Sequence, residues 1–135
     1  MNKIKQVIVI RKDLNMRKGK AIAQGAHASM KVILDRSNDI HGEDLHTEER
    51  LVTISMPQEM YDWVTGIFTK VVVYVNSEDE LLEVYKNAKD KGVPCSLIED
   101  AGLTEFHGVK TKTAVAVGPD LSVKIDEITG HLKLM

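Results

Sequence analysis

"IKQVIVIRKDLNMRKGKAIAQGAHAS", residues 4–29, decides the architecture. Its first seven residues, "IKQVIVI", are β-branched and nearly all apolar, as in a strand buried on both faces. The turn-like "RKDLN" follows, and then a predicted helix from about Arg17 to Arg36. Each helical residue advances ~100° around the axis, so Ile22, Ala26, Ser29 and Ile33 form one narrow stripe expected to pack on the sheet. Lys20, Gln24, His27 and Lys31 gather on the opposite side and form a polar patch that starts at the helix N-terminus. Unpaired backbone N–H groups and the positive pole of the macrodipole stand there. With Arg17, Lys18 and Lys20 alongside, the end suits a phosphate or an oxyanion. A merely solvated polar face has the same helical wheel. A Walker loop is excluded, because Ala21 follows Gly19-Lys20 and Leu14 stands where the first glycine belongs.

Working outward, "KVVVYV" (70–75), "PCSLI" (94–98) and "TAVAVG" (113–118) read as three further strands. A helix starting at Ser55 or Pro57 places Met60, Trp63, Val64 and Ile67 on one face. Another opens on a capping box of Ser77 and Glu80, turns Leu81, Tyr85 and Ala88 inward, and stops at Gly92. A short helix near 121–129 precedes Gly130 and the tail "HLKLM". Residues 37–56 are polar and acidic and read as a surface excursion. Helical crossovers make the first three strands parallel, whereas "EDAGLTEFHGVKTK" is too short and Gly-rich for one, so the fourth is antiparallel. The expectation is an α/β protein: one domain over residues 1–135, a three-layer α/β/α sandwich around a four-stranded mixed sheet.

At 135 residues, with 43% apolar and 28% charged side chains, the chain suits a single core. No apolar run approaches the ~20 residues of a membrane span. The apolar run after "MNKIK" is short and ends in charge, unlike a signal peptide. Cys95 is the only cysteine, so no internal disulfide can form and a reducing cytoplasm is expected. Net charge is −2, but residues 1–20 hold seven Lys or Arg against Asp13 alone, a local +6. That asymmetry points to a confined anion site rather than a basic surface.

A second constellation lies in "IEDAGLTEFHG", residues 98–108. Open α/β sheets bind ligands beyond the carboxyl ends of their parallel strands, which places Asp100 and Lys20 on one edge. There Asp100 could accept a proton, orient water or fix a lysine, and Thr104 could donate to a carbonyl or hydroxyl. "DAG" also reads as a plain turn in which Asp100 satisfies backbone N–H groups. His41 and His46 flank "GEDL", but their spacing does not share a helix face and no cysteine joins them, so solvated loop histidines are the simpler reading. No G-x-S-x-G elbow is present, and Cys95 has no placed base.

Five segments in order, "VIVIRKDLNMRKGKAIAQGAHAS", "KVVVYVNSEDEL", "GVPCSLIEDAGLTEF", "TKTAVAVGP" and "ITGHLKLM", closely resemble the archaeal and eukaryotic type of peptidyl-tRNA hydrolase. Only about residues 37–56 fall outside the resemblance. It implies an enzyme that cleaves the ester between a peptide and its tRNA, with no metal or organic cofactor. It also implies peptidyl-tRNA as partner, held through phosphates by the basic N-terminal region, and it makes a homodimer one possible assembly. The family's active-site lysine corresponds to Lys20, its "DAGxT" aspartate and threonine to Asp100 and Thr104, and a further threonine to Thr113. Arg17, Lys18, Gln24 and His27 then stand as substrate-binding residues. The competing expectations are a non-catalytic RNA- or protein-binding module on the same fold and an esterase for a smaller acyl substrate.

Overall fold

A computed structural model describes residues 3–40 and 48–135. Strand β1 (Ile4–Arg11) is central, and its residues Gln6 to Ile10 are all buried. Successive side chains of a strand point to opposite faces, and two separate apolar clusters result. Val7 and Val9 join Val73, Val75, Val115 and Val117 beneath Leu81, Val84, Ile125 and Ile128. Ile8 and Ile10 join Ala114 and Ala116 beneath Ala28, Val32 and Met60. Helices α1 (Lys18–Leu34) and α2 (Gln58–Thr65) therefore cover one face, while α3 (Glu78–Asp90) and α4 (Ser122–Thr129) cover the other.

Strands β4 (Lys70–Val75), β5 (Cys95–Asp100) and β6 (Thr111–Leu121) complete a four-stranded sheet in the order β4-β1-β6-β5. Its one hydrogen-bonded parallel pair is β1 with β4; β6 is antiparallel to both β1 and β5. The strands expected to be parallel do point the same way, but they are not contiguous. The last strand in sequence inserts between the first and the third, because the short 101–110 connection returns the chain beside β5. Among the described residues, strands β2 (Ser37–Ile40) and β3 (Leu51–Ile54) pair with each other alone, in a second, two-stranded sheet.

The face that α1 buries differs from the expected stripe. Gln24, Gly25, Ala28, Ser29 and Val32 are buried, whereas Ile22 is 66% exposed and Ala26 is also outside. Small residues decide this. A Cβ on Gly25 would stand 3.4 Å from Ile8 Cγ2, so helix and sheet backbones approach more closely than larger side chains allow. The polar line Lys20, Gln24, His27 and Lys31 flanks the buried face instead of opposing it, and Gln24 turns inward. In α2, Met60 and Trp63 are buried as expected, but Val64 is 37% exposed and Ile67 lies beyond the helix end, 94% exposed.

Helix α3 has the expected ends. Ser77 Oγ accepts from the Glu80 N–H, and the Glu80 carboxylate reaches back to the Asn76 N–H. At its far end Gly92, with φ +67°, donates to Lys89 while Val93 donates to Ala88, a Schellman pair. The two sheet edges differ. The outer edge of β4 is capped by the tail, with Tyr74 N–H donating to Lys133 and Met135 N–H to Val72. The outer edge of β5 has no strand neighbour among the described residues. Among the described residues no helix is long and apolar enough to cross a membrane.

Candidate active site

The site forms where β1 and β5 both end. Past Arg11 the chain makes one 3-10 turn (Lys12–Leu14), reverses through Asn15 in the left-handed region at φ 51°, and enters α1. That brings the first turn of α1 over the carboxyl end of β5. Asp100 is the last residue of β5, and its side chain points to the same face as Ser96, whose hydroxyl donates to the Ala28 carbonyl of α1. Beyond it, Gly102 takes φ +81°; a Cβ there would stand 2.3 Å from the Val109 carbonyl oxygen, so only glycine closes the loop. The Gly108 N–H donates to the Gly102 carbonyl across its base.

Lys20, Gln24, Asp100, Thr104 and Thr113 converge. Lys20 Nζ lies 2.8 Å from Asp100 Oδ1 and 3.1 Å from Thr104 Oγ1. Gln24 Nε2 donates to the same Asp100 oxygen at 3.4 Å, and the Gly102 N–H donates to the other at 2.9 Å. Thr113, fully buried on β6, donates its hydroxyl to Gln24 Oε1. Asp100 fixes which end of the buried amide faces it: a carboxylate only accepts, so it takes the NH2, and the carbonyl is left for the Thr113 hydroxyl. The Lys20 and Asp100 side chains are 16% and 14% exposed, so the pair keeps contact with solvent instead of lying under the core. The Lys20 hydrogen bond, with the Gly102 N–H, the Lys20 charge and the Gln24 amide, holds the Asp100 carboxyl below its usual value, against the opposing effect of burial.

The other expected site residues stand apart from this cluster. Arg17 caps the start of α1 with its guanidinium 90% exposed, and Lys18 and His27 are exposed on the same helix. Glu105 was not foreseen. It accepts from the Arg17 N–H at 3.3 Å and pairs with the Arg17 guanidinium at 3.8 Å, so a carboxylate already stands at the helix end expected to take an anion. Phe106, also unforeseen, lies 5.8 Å from Lys20 Nζ and walls the ammonium on its loop side. Both are in the quoted "DAGLTEFHG", where an acid one loop away from a cationic helix start was the available signal.

The +6 segment is not one patch. Lys5 pairs with Asp126 at 2.6 Å, at the far end of a strand ~26 Å long at roughly 3.3 Å per residue. Arg11 pairs with Asp13. Cys95 is half-buried, and burial pushes its thiol up, so it is no ready nucleophile. His41 and His46 lie outside the described residues.

An ammonium with a carboxylate at 2.8 Å and a hydroxyl at 3.1 Å, in contact with solvent, can orient water and receive a developing oxyanion. Comparison with known proteins gives the family of the chain that carries this set. The profile of the family described as "Peptidyl-tRNA hydrolase PTH2" matches residues 4–135. This chain belongs to the PTH2 family. A peptidyl-tRNA hydrolase of Methanocaldococcus jannaschii is 44% identical over 132 residues, 98% of this chain and all of the relative. One from Methanothermobacter thermautotrophicus is 41% identical over 98% of this chain and all of the relative. One from Nanoarchaeum equitans is 42% identical, over 97% and 98% of the two chains. A solved structure of a protein of unknown function from Agrobacterium tumefaciens strain C58 matches over 100% of this chain and 99% of its own, with a TM-score of 0.58 and 12% identity. That likeness shows the fold alone. Membership of the PTH2 family spans the whole site, from Lys20 to Thr113.

Proposed function

We propose that this PTH2 protein hydrolyses peptidyl-tRNA, cleaving the ester between the peptide's C-terminal carboxyl and the tRNA ribose. The observation that carries the reading is Lys20 joined to both Asp100 and Thr104 at the surface of a chain of this family. A water molecule attacks the carbonyl carbon, the carbon–ribose oxygen bond breaks, and the departing oxygen takes a proton. Asp100, kept as a carboxylate, orients the water; so weak a base is suited to orientation more than to full proton removal. Lys20 and Thr104 receive the oxyanion. Thr113 is out of substrate's reach and acts through Gln24, which sets the angle of the Asp100 carboxylate. Neither the buried Thr113 nor the buried Gln24 touches the substrate in this reading.

Arg17 and Lys18, exposed at the start of α1, hold tRNA phosphates without regard to sequence, and His27, exposed on the same helix, adds a further contact to the tRNA. The reading extends to a single-domain, three-layer sandwich working in the cytoplasm. It also includes a homodimer, supported by the outward apolar line Ile22, Met30 and Leu34 on α1. The decisive experiment is incubation with N-acetyl-aminoacyl-tRNA, free aminoacyl-tRNA and a small acyl ester. Release from the blocked tRNA alone supports the proposal. No release indicates a binding module, and indifference to the tRNA body indicates a general esterase.

A further inference from the structure

Peptidyl-tRNA brings a chain of any sequence to the site, so a contact that favours the peptide must read its backbone. The outer edge of β5 offers one. In the β5–β6 ladder the Gly118 N–H donates to the Pro94 carbonyl at 2.7 Å, and the register runs Cys95↔Val117, Ser96↔Ala116, Leu97↔Val115, Ile98↔Ala114. Antiparallel pairs alternate between bonded and non-bonded. Ser96 and Ile98 therefore bond to β6, and the N–H and C=O of Cys95 and Leu97 turn outward. No other strand meets them among the described residues, whereas the opposite edge of the sheet is capped by residues 133–135.

We infer that this edge binds the peptide moiety of the substrate as an added strand, a deepening that rests on the peptidyl-tRNA hydrolase reading. The direction follows from chemistry. The scissile ester is at the peptide's C-terminus and Asp100 is at the C-terminus of β5, so the peptide runs parallel to β5. From Leu97 to Asp100 is ~10 Å of strand, so the last three or four peptide residues lie along it. The same edge discourages a second copy of the sheet. Pro94, which has no N–H to offer, precedes it, and the charged Glu99 on it is exposed. A peptide end needs only the short stretch that remains.

In parallel pairing, alternate peptide residues direct their N–H toward the neighbouring strand, and this gives the test. The purified protein is assayed on tRNAs carrying N-acetyl-aminoacyl, dipeptidyl, tetrapeptidyl and hexapeptidyl groups, and on tetrapeptidyl-tRNAs with a single N-methyl amide at each position in turn. The expected result is kcat/KM rising with length up to about four residues and then level. N-methylation should lower it about fivefold at alternate positions only, one net hydrogen bond each. Equal rates for all methylated substrates, no dependence on length, or a dimer that forms through β5 and slows turnover as protein concentration rises would overturn the inference. Failure of even the N-acetyl-aminoacyl substrate would overturn the enzyme reading beneath it.

Discussion

Replacing Lys20 with methionine keeps the aliphatic stem beside Phe106 and removes the ammonium 2.8 Å from Asp100. At an effective dielectric of ~20, charges at that separation attract by about 6 kcal/mol, before the cost of drawing both from water is subtracted. Removing one member of a fully buried pair costs about 3–5 kcal/mol. Here 16% and 14% of the two side chains remain exposed, so about 2 kcal/mol of stability is the expected loss. For a chain of this size that lowers Tm by about 6–10 °C. Turnover should fall further, because losing a donor to the oxyanion costs about 100- to 1,000-fold in kcat.

The pH dependence has a fixed sign. Asp100 titrates below its ordinary value in the folded protein, so its contribution to stability is present above about pH 4 and lost as pH falls through the folded value. In Lys20→Met the Asp100 carboxyl moves back up, and the stability gap between parent and variant closes in that acid window. Thermal melts from pH 2 to 7, carboxyl NMR titration of Asp100 and hydrolysis of N-acetyl-aminoacyl-tRNA at pH 7 measure all three effects. An unmoved Asp100 titration together with kcat within twofold of the parent would refute the reasoning.

Three further outcomes are expected. Thr113→Val leaves a buried Gln24 carbonyl without its donor, which should cost about 1–3 kcal/mol in urea melts and lower kcat about tenfold with KM unchanged; Thr113→Ser should restore both. Gly102→Ala places a Cβ against the Val109 carbonyl at φ +81°, and a stability loss of at least about 2 kcal/mol with loss of turnover is expected, so parental melting would count against the loop geometry. Lys18→Ala should reduce the salt dependence of tRNA binding by about one phosphate contact, read as the slope of log K against log salt, whereas Lys5→Ala, whose lysine is paired with Asp126, should leave that slope unchanged.

Much of the fold was legible because its signals are local. The β-branched run of β1, the capping pair Ser77 and Glu80, and Gly92 at the end of α3 each act within a few residues. The order of strands was not, because adjacency of β6 to both β1 and β5 depends on long-range pairing that no window of sequence contains. The buried face of α1 was misread for a related reason. Hydrophobicity favours Ile22 and Ile33, but close approach to the sheet favours Gly25, Ala28 and Ser29, and only the packed partner shows which criterion prevails. At the site, the shared edge of Lys20 and Asp100 followed from the rule for strand ends. The inward turn of Gln24 and the placing of Glu105 at the start of α1 depend on loop geometry 75 or more residues away in sequence.

Because β5 finds no sheet neighbour but β6 among the described residues, the carboxylate at its tip has no settled place until the chain has doubled back from residue 100 to residue 111. Assembly of the cluster is therefore tied to closing the β5–β6 ladder. A partly folded chain without that pairing holds the lysine and the amide of α1 but not the carboxylate they grip.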